Sequence, residues 1–281
     1  MVGIIVINFG NPERTIRFVK EECPKVVAEH VVVVVDNGSG EAATAELKAS
    51  LEGLADIVPA AGNLGFAKAN NLGAEFAIKR FPIDYLLFVN NDIVFTDADV
   101  IDRLVAKIAD LPDAGVIGPK VVGLDGRLQS PSPKATFSQR NLLPYWGKLI
   151  YSRDCLRRKM MVDYAETARE GVCATVSGCC FMVKAKEFFE VGMFDPATFL
   201  YGEEMILSSR MKSAGKSVYY YPEVSVLHEH GATTRKYYDR KRIRNMKFAS
   251  EAYYYREYEK TPGWQIALGR FTLWLKGLLG R

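Results

Sequence analysis

An α/β architecture, with a mixed and mostly parallel sheet flanked by helices, follows from two features of this chain of 281 residues. First, its apolar runs are short and rich in β-formers: Gly3 to Asn8, the five valines Val31 to Val35, Asp56 to Ala60, and Leu86 to Val89. Runs of that length fit strands buried on both faces, with helices above and below. Second, three of them end in turns of Gly, Asn and Asp that lead into helical stretches. That strand–helix–strand rhythm implies parallel strands joined by right-handed crossovers.

Each element has its own signal. Asn11 is an amide N-cap with Pro12 at the first helical position, and Ile16, Val19, Val26 and Val27 give that helix an apolar face. The valine strand ends in Asp36-Asn37-Gly38-Ser39-Gly40, before a helix to about Leu54. Gly62 to Asn71 forms a glycine-bearing loop opening a helix to about Arg80. Thr96-x-x-Asp99 predicts a capping box for a helix to about Asp110. Ala114 to Gly118 is a strand, and Lys120 to Gln129 a hairpin turning at Leu124-Asp125-Gly126. From Ser130 to about Gly171 the pattern dissolves, as in a functional or disordered loop. Order returns with a strand at Ala174 to Val183, a short helix at Lys186 to Val191 and a helix from Glu203-Glu204 to about Ser213. Val218 to Tyr221 and Val224 to Leu227 predict two strands, the second ending in His228-Glu229-His230-Gly231.

This topology puts Asn8, Asp36, Asn63 and Asp92 along one edge of the sheet. Open α/β sheets bind ligands beyond the carboxyl ends of their strands, which is where Asn90-Asn91-Asp92 falls. A carboxylate there can hold a hard divalent cation, and the cation a diphosphate.

Composition narrows the class. An apolar content of 48% with 25% charged residues is ordinary for a protein with a core, and a net charge of +4 argues against a dedicated nucleic-acid binder. Five cysteines without a C-x-x-C pair suggest free thiols in a reducing compartment. The first residues lack the basic leader and length of a signal peptide, and no apolar run is long enough to span a bilayer. The expected location is cytoplasmic, with peripheral attachment to the inner face of the cell membrane as an option.

Five stretches together resemble the inverting glycosyltransferases of family 2, which have the Rossmann-like GT-A fold. They are V-V-V-D-N-G-S, G-N-L-G-F-A-K-A-N-N, L-F-V-N-N-D, the S-G-C-C-F-M-V…G-M-F-D-P segment, and F-L-Y-G-E-E-M-I-L-S-S-R…Y-Y-P…V-L-H. They cover roughly residues 3 to 235 in order. The chain looks most like the rhamnosyl- and galactofuranosyl-transferases that build bacterial polysaccharides.

The resemblance implies a donor site for a UDP- or dTDP-sugar. Asp36 contacts the base, Asn37 and Gly38 shape its turn, and Asn63 and Gly65 line the nucleotide and sugar. Asn8, Asn70, Asn90, Asn91 and Gly178 join them, Asn70 and Asn71 with the least support. Mg²⁺ or Mn²⁺ falls to Asp92, with His228 completing the site and His230 as the alternative. Asn90 stands where relatives carry a first Asp, which leaves one carboxylate fewer. Glu204 is the general base and Glu203 the fallback; Glu replaces the usual Asp, and Ile206 replaces a second acid found in many relatives. Arg210, six residues after Glu204, is a candidate structural ion-pair partner.

Residues 1–235 make the catalytic domain, with 1–118 as the nucleotide-sugar half and 119–235 as the acceptor and catalytic half. Residues 236–281 form a basic, amphipathic helical extension. Within it Trp264, Leu268, Phe271, Trp274, Leu275 and Leu278 form an apolar stripe opposite Gln265, Thr272 and Lys276. Such a stripe suits a membrane interface, which fits a lipid-linked acceptor, or packing on the catalytic domain or on a second subunit of a homo-oligomer. A sugar nucleotidyltransferase is disfavoured because Phe9-Gly10-Asn11-Pro12 is not a basic phosphate loop. A catalytically inactive relative acting as a partner in polysaccharide assembly stays open.

Overall fold

The short apolar runs become strands of a single sheet. The computed structural model describes residues 1–132, 134–150, 152, 155, 169–229 and 237–278. Strands β1 (Val2–Asn8), β2 (His30–Asp36), β3 (Asp56–Pro59) and β4 (Tyr85–Asn90) lie parallel in the order β3-β2-β1-β4. Helices α1 (Pro12–Glu21), α2 (Glu41–Ser50) and α3 (Gly65–Arg80) connect them. Beyond β4 the sheet turns mixed. The short β5 (Ile93–Phe95), then α4 (Val100–Ala109), precede β6 (Ala114–Gly123). After α5 (Leu143–Ile150) come β7 (Gly171–Cys173), β8 (Cys180–Lys184), α6 (Ala185–Glu190), α7 (Glu203–Ser213) and β9 (Ser217–His228). The order continues β4-β8-β6-β9-β5, with β8 antiparallel to β4 and β6, and β7 also paired to β9. Helices α8 (Arg240–Glu257) and α9 (Gly263–Leu278) close the fold.

Two apolar layers follow from strand alternation. Ile4, Val6, Val32, Val34 and Leu87 pack on one face with α1 and α4, while Ile5, Val33, Val35 and Phe88 pack on the other with α3. On that second face Gly73 of α3 sits where a Cβ would come within 2.7 Å of Ile5, so the helix lies close to β1. A third cluster, around Phe137, Ile206, Phe248 and Tyr255, joins α7 to α8 and α9.

Several expectations change at this level. α1 stops at Glu21 and Val27 is exposed, because Pro24 lies in a separate 3₁₀ turn, Cys23–Lys25. Thr96 does not cap α4; its hydroxyl donates to the Ser225 carbonyl (2.8 Å), and Asp99 is the N-cap residue. The predicted strand 174–183 splits, with 174–179 crossing between β7 and β8 as an irregular segment beneath the site. Conversely, the two strands predicted between 218 and 227 are one bent strand, β9, which absorbs Pro222 at a register shift opposite Pro119 and Lys120. The stretch from 130 onward contains a π-helical turn, Ser138–Leu142, leading into α5. Lys236, Gly231 and His230 lie outside the described residues.

Helix α9 is oriented against its pattern. Its aromatic stripe faces outward, with Trp264 66%, Phe271 47% and Trp274 57% exposed, whereas Thr272 is only 5% exposed. Trp146 Nε1 donates to the Thr272 hydroxyl (2.6 Å), and the Ser138 hydroxyl donates to Gln265 (2.9 Å). Part of the polar face is therefore the packed one.

Candidate active site

The carboxyl ends of β1, β2 and β4 open into a cavity of about 470 Å³, within the range typical of small-molecule sites. Its walls include Asn37, Asn63, Gly65, Asn90, Asn91, Asp92, Gly178, Glu203, Glu204 and His228. Ten of the sequence-derived candidates thus share one space. They come from strand ends, a helix start and a loop, and the sheet's register brings them together.

The remaining four candidates, Asn8, Asp36, Gly38 and Asn70, stand behind the wall and shape it. Asn8 Nδ2 donates to Asp36 Oδ1 (3.0 Å) and to Ser39 Oγ (3.0 Å), and the Thr44 hydroxyl donates to Asp36 Oδ2. Asp36 is therefore buried with both carboxylate oxygens already accepting from the protein. Gly38 adopts a left-handed backbone (φ +83°), and a Cβ there would fall 2.5 Å from the Gly62 carbonyl carbon. Asn70 bonds back to the Phe66 carbonyl one turn earlier (3.2 Å), while Asn71 pins Phe194 through both amide groups (2.9 and 3.1 Å).

Amides also build the donor-side wall. Asn37 Nδ2 donates to Asn63 Oδ1 (3.1 Å), Leu64 N–H donates to Asn37 Oδ1 (2.8 Å), and Asn63 Nδ2 reaches the Tyr238 hydroxyl (3.1 Å). Gly65 opens α3 at φ +78°, and Phe66 N–H donates to the Phe199 carbonyl (2.9 Å). A Cβ at Gly65 would collide with that carbonyl at 2.2 Å.

At the far end of the cavity, His228 Nε2 lies 3.2 Å from Asp92 Oδ1 and Arg14 lies 3.7 Å from Oδ2. Gln129 Oε1 holds the other imidazole nitrogen at 2.8 Å. Burial pushes the Asp92 carboxyl up, but the bond to His228 and the charges of His228 and Arg14 outweigh it and leave it below the usual carboxylate range. Burial likewise pulls the His228 imidazole down, but its bonds to Asp92 and Cys179 win and raise it to about 10. Asp92 Oδ1 is buried without a well-directed hydrogen bond. A buried, weakly satisfied carboxylate beside an imidazole fits a hard divalent cation held by two protein donors, the rest of its coordination coming from water and phosphate. Among the described residues no cluster of three or more His, Cys, Asp and Glu side chains supplies a fuller set.

The same cavity carries the acids Glu203 and Glu204. Tyr201 and Gly202 both have left-handed backbones (φ 75° and 84°), a tight turn that starts α7 and delivers Glu203 and Glu204 in its first turn. Glu204 Oε2 lies against Gly178, where a Cβ would stand 3.4 Å from it. Burial raises the Glu204 carboxyl, partly offset by its own backbone amide and by the charges of Arg140 and Lys247. Glu203 is 3% exposed, and burial and then the charge of Glu204 push it up to about 8. Arg210 does not pair with either. Its guanidinium binds Asp195 (3.1 Å), which also accepts from Tyr253 (2.9 Å) and Tyr258 (2.6 Å) and so ties α7 to α8.

Phe9, Phe66, Phe199, Leu200, Tyr201, Ser177, Cys179, Tyr238 and Ile243 also line the cavity. Sequence patterning singled out none of these as site residues. Tyr238 and Ile243 fall in the basic extension from residue 236, which patterning set apart from the site.

Comparison with known proteins gives the family and the fold. The chain is 27% identical over 215 residues to the N-acetylglucosaminyl-diphospho-decaprenol L-rhamnosyltransferase of Mycobacterium tuberculosis (strain H37Rv), covering 72% of this chain and 67% of that protein. It is 23% identical over 209 residues to the O-antigen chain rhamnosyltransferase RfbN of Salmonella typhimurium, covering 74% and 60%. Among solved structures, the mannosyltransferase PcManGT from Pyrobaculum calidifontis, in complex with GDP-Man and Mn²⁺, aligns with a TM-score of 0.62 at 14% identity. That alignment covers 93% of this chain and 64% of PcManGT, a likeness of GT-A fold alone. Residues 2–247 match a family described as glycosyltransferase like family 2, and with most of its length inside that match the protein belongs to this family.

Proposed function

We propose that this protein is an inverting glycosyltransferase of bacterial cell-surface polysaccharide synthesis. It moves a sugar from a nucleoside diphosphate donor, of dTDP-rhamnose or UDP-hexose type, to a hydroxyl of a glycan or lipid-linked acceptor. One observation carries this reading: a single cavity is lined by both the Asp92–His228 pair and Glu204. The rhamnosyltransferase relatives support the sugar class, and the mycobacterial relative, named for N-acetylglucosaminyl-diphospho-decaprenol, supports a diphospho-lipid acceptor.

In this reading residues 1–118 hold the donor and 119–235 hold the acceptor and the base. The amide wall of Asn37 and Asn63 takes the nucleotide, with Tyr238 behind it. Asp92 and His228 would hold Mg²⁺ or Mn²⁺, which would neutralise the departing diphosphate. Glu204 accepts the proton of the acceptor hydroxyl while that oxygen bonds to the anomeric carbon. The bond from anomeric carbon to phosphate oxygen breaks on the opposite face, and configuration inverts. Gly178 leaves room beside Glu204 for the attacking oxygen.

The test is release of nucleoside diphosphate from a panel of UDP- and dTDP-sugars, with Mg²⁺ or Mn²⁺ and a lipid-linked acceptor. Transfer from one donor, abolished by a chelator, is the expected result. Nucleotide binding without turnover across acceptors would favour the inactive assembly partner, and loss of nucleotide binding would remove the site altogether.

A further inference from the structure

The outward aromatic face of α9 and the polar face behind it belong to one device. Behind α9, between the π-helical turn, α5 and α8, lies a second cavity of about 320 Å³. Arg140, Arg244, Lys247 and Lys276 line it, and among the described residues Glu251 is the one carboxylate in its lining. That carboxylate is already engaged, accepting from Asn141 (3.2 Å) with Arg140 at 3.9 Å. Lys276 is held 3.7 Å above the Tyr145 ring, at the cavity's α9 edge. Among the described residues the lining carries four cationic side chains to one carboxylate, a setting that suits a multiply charged anion, and guanidinium groups suit phosphate oxygens.

Position says which anion. Ile243 lines the donor cavity and Arg244, the next residue of α8, lines the basic cleft, so the two spaces share a wall. Charges of Arg140 and Lys247 also reach Glu204. On the other side of α9, Trp264, Phe271 and Trp274 face outward, the last two stacked at 5.7 Å. The helix carries Arg270 and Lys276 and no acidic residue. An exposed aromatic face on a cationic helix matches an anionic lipid interface.

We propose that the basic cleft between α5, α8 and α9 binds the diphosphate of a membrane lipid, with α9 lying in the membrane interface, so that the acceptor's head group is presented toward Glu204. This rests on the glycosyltransferase reading only for the acceptor's role; the lipid site stands on its own geometry.

The test floats full-length protein with phosphatidylcholine vesicles in metal-free, donor-free buffer. One set is doped with undecaprenyl diphosphate and one with phosphatidylglycerol to equal surface charge. Wild type should prefer the diphosphate vesicles over both the charge-matched and the neutral ones. Arg244→Gln combined with Lys276→Gln should lower binding to the diphosphate vesicles about tenfold, and Trp264→Ser with Phe271→Ser and Trp274→Ser should abolish flotation. Equal binding to phosphatidylglycerol vesicles, or an unchanged preference in the double variant, overturns the diphosphate seat. If the double variant does not fold by circular dichroism, wild type carries the test, since inorganic pyrophosphate should displace it from the doped vesicles and failure to do so overturns the site. A stable dimer in sedimentation without lipid, dissolved by the triple variant, would give the aromatic face to a second copy and overturn its membrane role. Donor hydrolysis with metal, measured separately, reports on the transferase reading alone.

Discussion

Glu203 and Glu204 are adjacent in sequence, yet their surroundings differ. Glu203 is nearly sealed, with Oε1 buried and unbonded, whereas Glu204 opens beside Gly178. Glu204→Gln should therefore lower kcat by about 10²–10⁴ while nucleotide affinity, read by titration calorimetry, holds. Glu203 has a different signature. Its folded-state carboxyl sits at about 8 against an ordinary value of 4.5, so the folded protein holds a proton that the unfolded chain releases. The stability this gives is fully present below the unfolded value and is lost as pH rises from there through about 8. The slope is ~1.4 kcal/mol per pH unit inside that window. Glu203→Gln should flatten urea-unfolding stability between those limits while transfer continues; loss of transfer with Glu204→Gln still active would exchange the two roles.

At the scale of elements, the site depends on chain turns that few side chains tolerate. Gly65 opens α3 with a left-handed backbone directly against the Phe199 carbonyl. Gly65→Ala should destabilise the fold by about 2 kcal/mol or more, since the strained backbone and the 2.2 Å collision add. Because Phe66 N–H holds the same carbonyl, donor KM should rise in parallel, and an unchanged melting temperature would contradict this account. Elements were also where pattern reading went astray in instructive ways. Thr96 satisfied the spacing of a capping box but is drawn to the Ser225 carbonyl of a strand 129 positions away. Pro222 looked like a break between two strands, but the β6–β9 ladder shifts register and continues around it.

For the whole molecule, α8 and α9 pack with α7 and Phe137 in one apolar cluster. Gly269 of α9 packs so closely on Phe137 that a Cβ would come within 2.7 Å, and Trp146 bonds Thr272 across the same interface. Truncation after Lys260 should uncover Phe137 and Phe248, lower the melting temperature by about 5 °C or more and raise dye binding to exposed apolar surface. A truncated chain that melts unchanged would make α9 an independent appendage. Among the described residues no helix is long and apolar enough to cross a membrane.

By itself the sequence determined the four parallel strands β1 to β4, their polar ends and the edge they share, because a short β-rich run closed by Gly, Asn and Asp can do little else in an α/β chain. That was enough to gather Asn37, Asn63, Asn91, Asp92 and Glu204 into one expectation. Tertiary structure decided the rest, where the outcome depends on long-range partners. Asp36 is held by Asn8 and Thr44, since the βα turns of β1 and β2 fold onto each other and bury it. Arg210 serves Asp195, which arrives from a loop fifteen residues upstream and not from the helix's own face. Helix α9 turns its aromatic side chains outward while Ile266, Leu268 and Leu273 join the third apolar cluster and Trp146 and Ser138 bond its polar face, and periodicity alone carries no information about which face a neighbour will cover.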